Sequence, residues 1–240
     1  MSLLIRTWNL YHGRTAPQGR RLYLRRMVEL VTSDKPDLVA LQEVPVWALR
    51  RLEDWSDMAA RPVATVPALL PGPVARRVTA ANPTRLRSLV SGQANVLLAG
   101  RRLRVGDGLT LLLNPEVGRW DSFVRGGPQR RYCARHEVET DDGRTIVVGH
   151  LHASHDPEAA PVEIERAAAF VGDAPPVIFF GDFNARAHPV PGFSPPIRGV
   201  DQILVRGLDL ERGPEAWPKE RRLHEGELLS DHAPVEAVVT

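Results

Sequence analysis

Short apolar runs bounded by polar or turn-forming residues recur along the whole chain. They predict strands in the segments LLIRTW, LVALQ, ANVLLA, RYCARHEV, TIVVGHL, VIFF, QILV and PVEAVV. Some runs alternate apolar with polar residues and others are continuously apolar. Both patterns are typical of sheets whose two faces are covered to different degrees.

Helical spacing of apolar residues is found in fewer places. Residues Arg20 to Ser33 predict one helix. Asp156 and Pro157 resemble an N-cap and first-turn pair, and the helix that they begin is predicted to end at Gly172. A shorter helix is predicted from Val46 to Trp55. Because the helices do not alternate regularly with the strands, the pattern predicts a mixed α/β (α+β) protein with more strand than helix.

Two proline-rich stretches, Pro62 to Pro83 and Ala187 to Gly199, predict long irregular loops. Loops of this length in a compact domain are often functional, and a variable surface excursion explains them equally well. The pattern leaves both explanations open.

The composition is that of an ordinary globular protein: of 240 residues, 43% are hydrophobic and 25% are charged. No apolar run approaches the roughly 20 residues of a membrane-spanning helix. The first residues enter a strand-like alternation that leaves no room for a signal peptide, so we expect a cytoplasmic location. We also expect a monomer without a membrane partner. Cys133 is the only cysteine. It therefore forms no intramolecular disulfide, makes a cysteine-based zinc site implausible and is expected to be a structural strand residue.

The charge is distributed unevenly, although the net charge is only +2 and the pI is near 9.0. Between Asp57 and Asp107 there is no acidic residue, but this segment contains the arginines Arg61, Arg76, Arg77, Arg85, Arg87, Arg101, Arg102 and Arg104. A composition bias towards arginine is one explanation. The other is a basic rim that attracts phosphates, whose oxygens suit the planar guanidinium group.

Polar residues that could bind a metal or take part in catalysis stand at the ends of several predicted strands. Asn9 ends the strand LLIRTW, and Glu43 ends LVALQ. Asn9 alone fits a turn, but a carboxylate at the end of a buried strand is costly unless it is paired or bound to a metal. Together the two residues suit a hard cation such as Mg²⁺, which takes oxygen ligands.

A histidine cluster offers a different chemistry. His150, His152 and His155 precede Asp156 in an order that resembles the H-x-H-x-D-H motif of dinuclear zinc hydrolases, but with the last two residues reversed. Because no second cluster of this strength follows, a dinuclear zinc hydrolase using these histidines remains an alternative hypothesis.

The segment GDFN places Asp182 and Asn184 directly after the apolar run VIFF. If the strand continues, residues two apart share a face, so these side chains would point together. One can accept a proton and the other can hold an oxygen, a combination that suits a water molecule beside a phosphorus atom. An ordinary β-turn explains an isolated motif of this kind equally well.

Near the C-terminus, Asp201 begins the strand QILV, and Asp231 and His232 precede the last strand. Three consecutive residues, SDH, cannot easily converge into a serine-protease relay. An Asp–His pair at a loop-to-strand junction can still point into a cleft, where histidine acts as an acid or as a cationic stabiliser.

The ordered series TWN, QE, LH, GDFN, D-x-I and SDHAP resembles the endonuclease/exonuclease/phosphatase superfamily, with the fold of pancreatic DNase. The motifs run from Asn9 to His232, which favours a single domain over residues 1–240. QEVP followed by Trp47 is similar to uncharacterised bacterial members. The resemblance implies a four-layer sandwich of two packed mixed β-sheets flanked by helices, with the site at the strand ends.

The resemblance also implies hydrolysis of a phosphoester by water with Mg²⁺ or Mn²⁺. By motif position, Glu43 would be the principal metal ligand, helped by Asn9 and Asp231. Because no residue of this set is missing, a catalytically inactive binding module is disfavoured.

The same motif positions imply catalytic roles for five further residues. Asp182 would orient or deprotonate the attacking water, and Asn184 would hold the water or a phosphate oxygen. His232, steadied by Asp201, would contact the phosphate. His152 would lie near the leaving group. Pancreatic-type nucleases orient the equivalent of His152 with a carboxylate from the segment that precedes the middle strands. In this sequence that segment has no Asp or Glu, so we do not expect His152 to be a well-oriented general acid.

The substrate is predicted from charge and composition. An arginine-rich rim favours a nuclease acting on DNA or RNA, with Arg131, Arg135 and Asn95 as substrate-binding residues. A hydrolase of a small or lipid phosphoester on the same fold is the alternative, because the fold does not name the substrate.

Overall fold

The computed structural model describes residues 2–19, 21–81, 91–118, 121, 129–174 and 176–240. The strands in these ranges are β1 (Leu3–Asn9), β2 (Leu38–Val44), β3 (Ala59–Val66), β4 (Gln93–Ala99), β5 (Arg104–Val105), β6 (Leu109–Leu112), β7 (Tyr132–Glu139), β8 (Thr145–His152), β9 (Val177–Asp182), β10 (Asp201–Arg206), β11 (Leu210–Ala216), β12 (Leu223–His224), β13 (Glu227–Leu228) and β14 (Val235–Val239). The helices are α1 (Leu24–Thr32), α2 (Leu52–Ser56), α3 (Gly72–Ala81) and α4 (Ala159–Val171), with 3₁₀ turns at Tyr11–Gly13, Val46–Arg51 and Lys219–Arg222.

The strands form two large mixed sheets. The first sheet has the order β11-β14-β1-β2-β4-β3, and the second has the order β10-β9-β8-β7-β5, with β6 also paired to β7. β1 runs parallel to β2, and β8 runs parallel to β9, while the other neighbours in both sheets are antiparallel. Every strand predicted from the sequence is present.

The two sheets pack face to face over a core of branched and aromatic side chains, among them Ile5, Leu97, Val148 and Phe180. On the outer face of the first sheet, α1 packs over Trp8 and Leu41. On the outer face of the second sheet, α4 packs over Phe179. The result is a four-layer α/β sandwich, and the predicted fold class is confirmed.

Helices α1 and α4 each bury one stripe of residues. Helix α1 buries Leu24, Met27, Val28 and Val31, which lie at helical spacing. Helix α4 begins after Asp156, whose carboxylate accepts hydrogen bonds from the backbone N–H groups of Glu158 and Ala159. The predicted role of Asp156 at this helix start is therefore confirmed.

The predicted loop from Pro62 to Pro83 is wrong for residues 62–66 and 72–81, and residues 67–71 between them contain no strand or helix, as predicted. Residues up to Val66 continue strand β3, and α3 begins at Gly72. β3 is an edge strand, where a proline without an N–H costs no ladder hydrogen bond. Pro73 lies in the first turn of α3, where a missing N–H is tolerated. The second irregular stretch, Ala187 to Gly199, contains no strand or helix, as predicted.

Cys133 is fully buried on β7, in agreement with a structural role, and burial raises the pKa of its thiol. Among the described residues, no helix is both long enough and apolar enough to cross a membrane.

Candidate active site

The polar strand ends meet at one edge of the sandwich. Asn9 ends β1 and Glu43 lies one residue before the end of β2, both in the first sheet. His152 ends β8, Asp182 ends β9, and Asp201 begins β10, all in the second sheet. In the second sheet His152 is in parallel register with Asp182, which is in antiparallel register with Asp201. The five residues therefore face each other across the junction of the two sheets.

A β-bulge turns Glu43 towards this junction. The β2–β4 register passes from Leu41 opposite Val96 to Val44 opposite Ala94, so one extra residue lies on β2. Glu43 has a φ of 55°, in the left-handed region that a residue with a Cβ rarely adopts. Such bulges redirect a side chain and are frequent next to active sites. Without the bulge, alternation would place Glu43 on the same face as Leu41, against α1.

Asn9 links the two sheets through its side-chain amide. Its Nδ2 donates to Asp182 Oδ2 at 2.9 Å and to Glu43 Oε1 at 3.4 Å. Its Oδ1 accepts a hydrogen bond from the backbone N–H of Tyr11 at 3.0 Å. Asn9 therefore holds one carboxylate from each sheet at a fixed distance. In this orientation its amide nitrogen, and not its oxygen, faces the carboxylates.

Asp182 and Asp201 form a closely spaced pair of buried carboxylates. Burial, followed by the negative charge of Asp201, raises the pKa of Asp182 to about 7, although His232 and hydrogen bonds from Asn9 and Asn184 oppose the rise. Burial also raises the pKa of Asp201. Asp201 Oδ1 is buried and has no hydrogen-bond partner among the described residues. Asp182 can therefore accept a proton near neutral pH.

His232 lies against both carboxylates. Its Nδ1 is 2.8 Å from Asp201 Oδ2 and 3.9 Å from Asp182 Oδ2. Burial alone would lower the pKa of His232, but the hydrogen bond with Asp201 and the charges of Asp201, Asp182 and Asp231 outweigh it and raise the pKa to about 10. His232 is therefore an imidazolium at neutral pH, held in place by Asp201.

The loop that carries His232 is fixed from three sides. Ser230 is fully buried; its Oγ donates to the backbone oxygen of Asn9 at 2.7 Å and accepts from the backbone N–H of His232 at 3.1 Å. The backbone oxygen of His232 accepts from Trp8 Nε1 at 3.0 Å and from Arg222 Nη1 at 2.7 Å. Arg222 also donates to the carbonyls of Leu229 and Ser230. These contacts fix the loop against β1.

Asn184 is near the site, but it does not share a strand face with Asp182, and that prediction is wrong. Strand β9 ends at Asp182, and Asn184 has a φ of 50° in the turn that follows. The turn is closed by a hydrogen bond from the Asn184 backbone N–H to Asp182 Oδ1 at 3.0 Å. The Asn184 side chain donates to the carbonyl of Ala153 at 2.9 Å. Asn184 therefore orients the Asp182 carboxylate through the backbone.

Two basic residues balance the carboxylates. Arg131 is buried, and burial lowers the pKa of its guanidinium, while the charges of Glu43, Glu163 and Asp182 oppose that shift. His12 Nε2 lies 3.2 Å from Glu43 Oε2. Burial alone would raise the pKa of Glu43, but the charges of His12, Arg131 and His232 and the hydrogen bond from Asn9 lower it. Glu43 is therefore ionised at neutral pH.

His152 is buried with its Nε2 3.4 Å from Asp182 Oδ2, and neither ring nitrogen makes a hydrogen bond with a described residue. Burial lowers its pKa well below the ordinary value, and the charges of Arg131, His155, His232 and His12 lower it further. His152 is therefore neutral. In the described part of the chain no carboxylate bonds its Nδ1.

The three histidines of the zinc hypothesis do not form one cluster. His152 and His155 pack edge to face, with 6.0 Å between ring centroids. His150 instead stacks on His136 in the interior and belongs to neither of the potential ligand groups found among the described residues. The predicted cluster of His150, His152 and His155 is wrong.

Three other residues predicted for the site lie in different environments. Asn95 is buried beside the bulge of β2, and its Nδ2 has no hydrogen-bond partner in the described ranges. Arg135 lies about 13 Å further along β7 than Arg131, given the rise of a strand. It donates to the carbonyl of Val171 at 3.2 Å and contacts Glu137, so it is not part of the site. Asp231 is exposed and belongs to neither ligand group.

The arrangement contains two groups of potential metal ligands. One group is Glu43, His152 and His155, and the other is Asp182, Asp201 and His232; within each group the ligand atoms lie within 4.8 Å of one another. Buried carboxylates and an unpartnered Asp201 oxygen fit a divalent cation, since oxygen ligands suit hard ions. The residues present therefore fit a divalent metal.

Sequence reasoning missed three residues. No signal in the sequence marks His12, although its Nε2 lies 3.2 Å from Glu43 Oε2. Ser230 was considered only as a possible nucleophile. Arg222 stands among similar arginines in KERR, and no local signal distinguishes it from them. Only the long-range hydrogen bonds of Ser230 and Arg222 reveal their place.

A sequence profile described as the endonuclease/exonuclease/phosphatase family matches residues 7–232. The chain belongs to this family. The resemblance noted in the sequence is thereby confirmed, and the chain is a phosphoester hydrolase of a family whose enzymes are generally dependent on divalent metals. A search of curated proteins finds no match.

Solved structures agree with this fold. A functionally unknown conserved protein from Enterococcus faecalis V583 has a TM-score of 0.74 and 16% identity, covering 99% of both chains. An endonuclease/exonuclease/phosphatase from Beutenbergia cavernae DSM 12333 has a TM-score of 0.73 and 17% identity, covering 99% of this chain and 71% of that one. A mannosyl-6-phosphatase from Bacteroides thetaiotaomicron VPI-5482 has a TM-score of 0.65 and 14% identity, covering 99% of each chain. At these identities the similarity supports the fold alone.

Proposed function

We propose that the protein is a Mg²⁺-dependent (or Mn²⁺-dependent) phosphodiesterase that acts on DNA or RNA. The observation that carries the proposal is the convergence of Glu43, Asp182, His232 and Arg131 at one junction, where carboxylates and cations alternate. Such a site can bind an anionic phosphate, activate a water and stabilise the charge that develops during displacement.

Glu43 is the residue best suited to hold the cation, since it is ionised and directed into the junction by the bulge. Asn9 lies beside it, and ligation through its Oδ1 requires rotation of the amide away from Tyr11. His155 is a further potential ligand in the same group. The bound cation would polarise the phosphate and neutralise part of its charge.

Asp182 is proposed to orient the attacking water and to take its proton. Its pKa of about 7 suits a base that operates near neutral pH. Asn9 and the backbone N–H of Asn184 fix its two oxygens at 2.9 Å and 3.0 Å, so the carboxylate cannot rotate freely. The Asn184 side chain, bonded to Ala153, would have to turn to hold the water itself.

His232 and Arg131 are proposed to stabilise the charge on phosphorus. His232 carries a proton that Asp201 keeps in place, so its other ring nitrogen can donate to a phosphate oxygen. Arg131 approaches from the second sheet, and its Nε has no hydrogen-bond partner in the part of the chain that the structure describes. His152, being neutral, is assigned contact with the leaving group and not protonation of it. Asn95, whose buried Nδ2 has no hydrogen-bond partner among the described residues, is proposed to contact the substrate.

The first test is nicking of supercoiled plasmid by purified protein in Mg²⁺. Activity should disappear with EDTA and in Asp182→Asn, which keeps the size of the side chain but removes the base. Loss of about 10² to 10⁴ in rate is expected for a general base. After EDTA treatment, recovery of nicking activity on addition of Mg²⁺ or Mn²⁺, but not of Zn²⁺, would support the proposed metal. Nicking that survives Asp182→Asn at the wild-type rate would contradict the proposal.

A phosphatase of small phosphoesters is the second candidate. It is supported by the pairing of several arginines of the predicted basic rim with carboxylates, and a mannosyl-6-phosphatase is among the proteins that share the fold. Arg101 pairs with Asp57, Arg102 with Asp37 and Arg104 with Glu139, and Arg85 and Arg87 lie outside the described residues. Release of phosphate from sugar phosphates without plasmid nicking would favour this candidate.

Three further expectations stay predictions from the sequence: a single domain over residues 1–240, a monomeric state and a cytoplasmic location. Gel filtration coupled to light scattering would test the second of these.

A further inference from the structure

A groove of about 550 Å³ lies between the 3₁₀ turn at Val46–Arg51 and the start of helix α3. The residues that line it and matter here are Trp47, Arg50, Arg51, Asp54 and Arg76. They are separate from the carboxylates of the candidate active site. Three guanidinium groups and one carboxylate give the groove an excess of positive charge.

The arginines of this groove differ from other arginines of the same region. Arg50, Arg51 and Arg76 are exposed, and among the described residues none of them pairs with a carboxylate. Arg101 and Arg104, by contrast, each form an ion pair at the opposite end of β4. Unpaired guanidinium groups that share one concave surface are available to bind an anion.

Trp47 holds one of these arginines in place. Arg76 Cζ lies 5.8 Å from the centre of the Trp47 ring, and Trp55 packs edge-on against that ring at 6.5 Å. The indole of Trp47 therefore supports the Arg76 guanidinium group by a cation–π contact, and Arg76 and Trp55 together cover part of its ring. The groove consequently presents N–H donors suited to phosphate oxygens, and little free aromatic surface for a base.

The groove is close to the candidate active site along the chain. Trp47 follows Glu43 by four residues, so the two Cα atoms are at most about 14 Å apart. Phosphates along one strand of a duplex follow each other at about 3.4 Å of rise. A duplex with one phosphodiester at the active site thus places another phosphate of the same strand within reach of the groove.

We infer that the groove of Trp47, Arg50, Arg51 and Arg76 is a second phosphate-binding subsite, which holds the backbone of a nucleic acid a few nucleotides from the bond that is cleaved. This inference rests on the proposed function. A small phosphoester bound at the Glu43–Asp182 centre would not extend to this groove.

The test compares Arg50→Ala/Arg76→Ala with Arg101→Ala/Arg104→Ala, which makes the same change in net charge at the far end of the sheet. Binding of a fluorescein-labelled 16-base-pair DNA duplex is measured by anisotropy in EDTA, so that cleavage does not interfere. Hydrolysis of bis(p-nitrophenyl) phosphate in Mg²⁺ is measured in parallel, because this small diester reaches only the catalytic centre.

We expect the groove variant to bind the duplex about tenfold more weakly at 0.1 M salt, with a salt slope shallower by about 1.8, since two phosphate contacts are lost. Its hydrolysis of the small diester should equal that of wild type, and the control variant should bind as wild type does. Equal binding by the two double variants, or no duplex binding by wild type, would overturn the inference.

The two proposals fail separately. If wild type nicks plasmid and the groove variant binds duplex normally, the subsite is refuted and the nuclease proposal stands. If the groove variant alone loses duplex binding but wild type nicks neither plasmid nor labelled duplex, the nuclease proposal fails; the groove then binds a phosphate backbone, but its role as a subsite for cleavage is refuted.

Discussion

His150 stacks on His136 in the interior of the sandwich, with 5.8 Å between ring centroids and 6° between ring planes. His150 is fully buried, and neither of its ring nitrogens makes a hydrogen bond with a described residue. Burial, and then the charge of His136, lowers the pKa of His150 from 6.5 to about 3. The stacked pair is therefore stable only while His150 is neutral.

The first prediction concerns acid stability. The folded pKa lies below the unfolded one, so between pH 6.5 and about 3 the unfolded chain binds one proton more than the folded chain. The contribution of neutral His150 to the free energy of unfolding is therefore complete above pH 6.5. Below pH 6.5 the free energy of unfolding falls by about 1.4 kcal/mol per pH unit. His150→Phe removes this proton. In urea titrations at pH 7 and pH 5, the variant should lose about 2 kcal/mol less free energy of unfolding than wild type. Equal losses in both proteins would contradict the prediction.

The second prediction concerns the metal. Glu43→Gln should abolish the rise in melting temperature that Mg²⁺ causes in wild type, because the neutral amide is a weaker ligand for a hard cation. At an ion concentration 100 times the dissociation constant, wild type should gain about 2.7 kcal/mol, or roughly 5–10 °C. Differential scanning fluorimetry with Mg²⁺ and with EDTA measures this without any substrate.

Glu137→Gln is the matched control for the metal, since Glu137 is 60% exposed and contacts only Arg135 among the ion pairs found in the described ranges. It should respond to Mg²⁺ as wild type does. A normal response in Glu43→Gln would assign the cation to other ligands.

The third prediction concerns the Asp201–His232 pair. Asp201→Asn removes the hydrogen-bonded charge that raises the pKa of His232. The imidazolium is then lost at lower pH than in wild type, so activity should fall on the alkaline side before it falls in wild type. At pH 8 we expect a loss of about 10² in the rate of bis(p-nitrophenyl) phosphate hydrolysis, as for removal of one charge-stabilising donor.

The pH–rate profile distinguishes this role from a structural one. A variant that is merely less well folded would lose activity equally at pH 6 and pH 8. The result that the Asp201–His232 contact requires is an alkaline limb that moves to lower pH in Asp201→Asn. The acidic limb, which Asp182 sets, should also move to lower pH, because the charge of Asp201 no longer raises the pKa of Asp182.

The fourth prediction concerns Ser230. Ser230→Ala removes the hydroxyl that donates to the buried carbonyl of Asn9 and accepts from the partly buried N–H of His232. Unsatisfied buried groups cost about 1–3 kcal/mol, and this loss should appear in the free energy of unfolding. Ser33→Ala serves as the control, because the Ser33 hydroxyl bonds only to Leu30 at an exposed position. The control should lie within about 0.5 kcal/mol of wild type. A cost for Ser230→Ala no larger than this would show that water replaces the hydroxyl.

The sequence predicted the strands that carry apolar runs, because burial of one or both faces leaves a clear pattern. It did not predict β3, since Pro62 was read as a sign of a loop. An edge strand tolerates a proline because one side of its backbone has no hydrogen-bond partner in the sheet. Which strand lies at the edge is a property of the whole sheet and cannot be seen in a local window.

The candidate site was predicted in part, because several of its residues stand at the ends of strands that the apolar pattern predicts. Asn9, Glu43, Asp182, Asp201 and His232 stand at strand ends, and the motif order relates them to a known family. The position of Arg135 could not be judged from sequence, because it depends on where α4 ends: its guanidinium donates to the carbonyl of Val171, the last residue of that helix. The bulge that directs Glu43 depends on the pairing of β2 with β4, which residue types alone do not encode.

The junction of the two sheets has a consequence for folding experiments. Asn9, Glu43 and His232 come from the first sheet, while Arg131, His152, Asp182 and Asp201 come from the second. Neither sheet alone contains both the acidic pair and its imidazolium partner. A partly folded chain with only one sheet formed would therefore show no activity. In a refolding experiment, the recovered activity would measure only the molecules in which the two sheets have packed together.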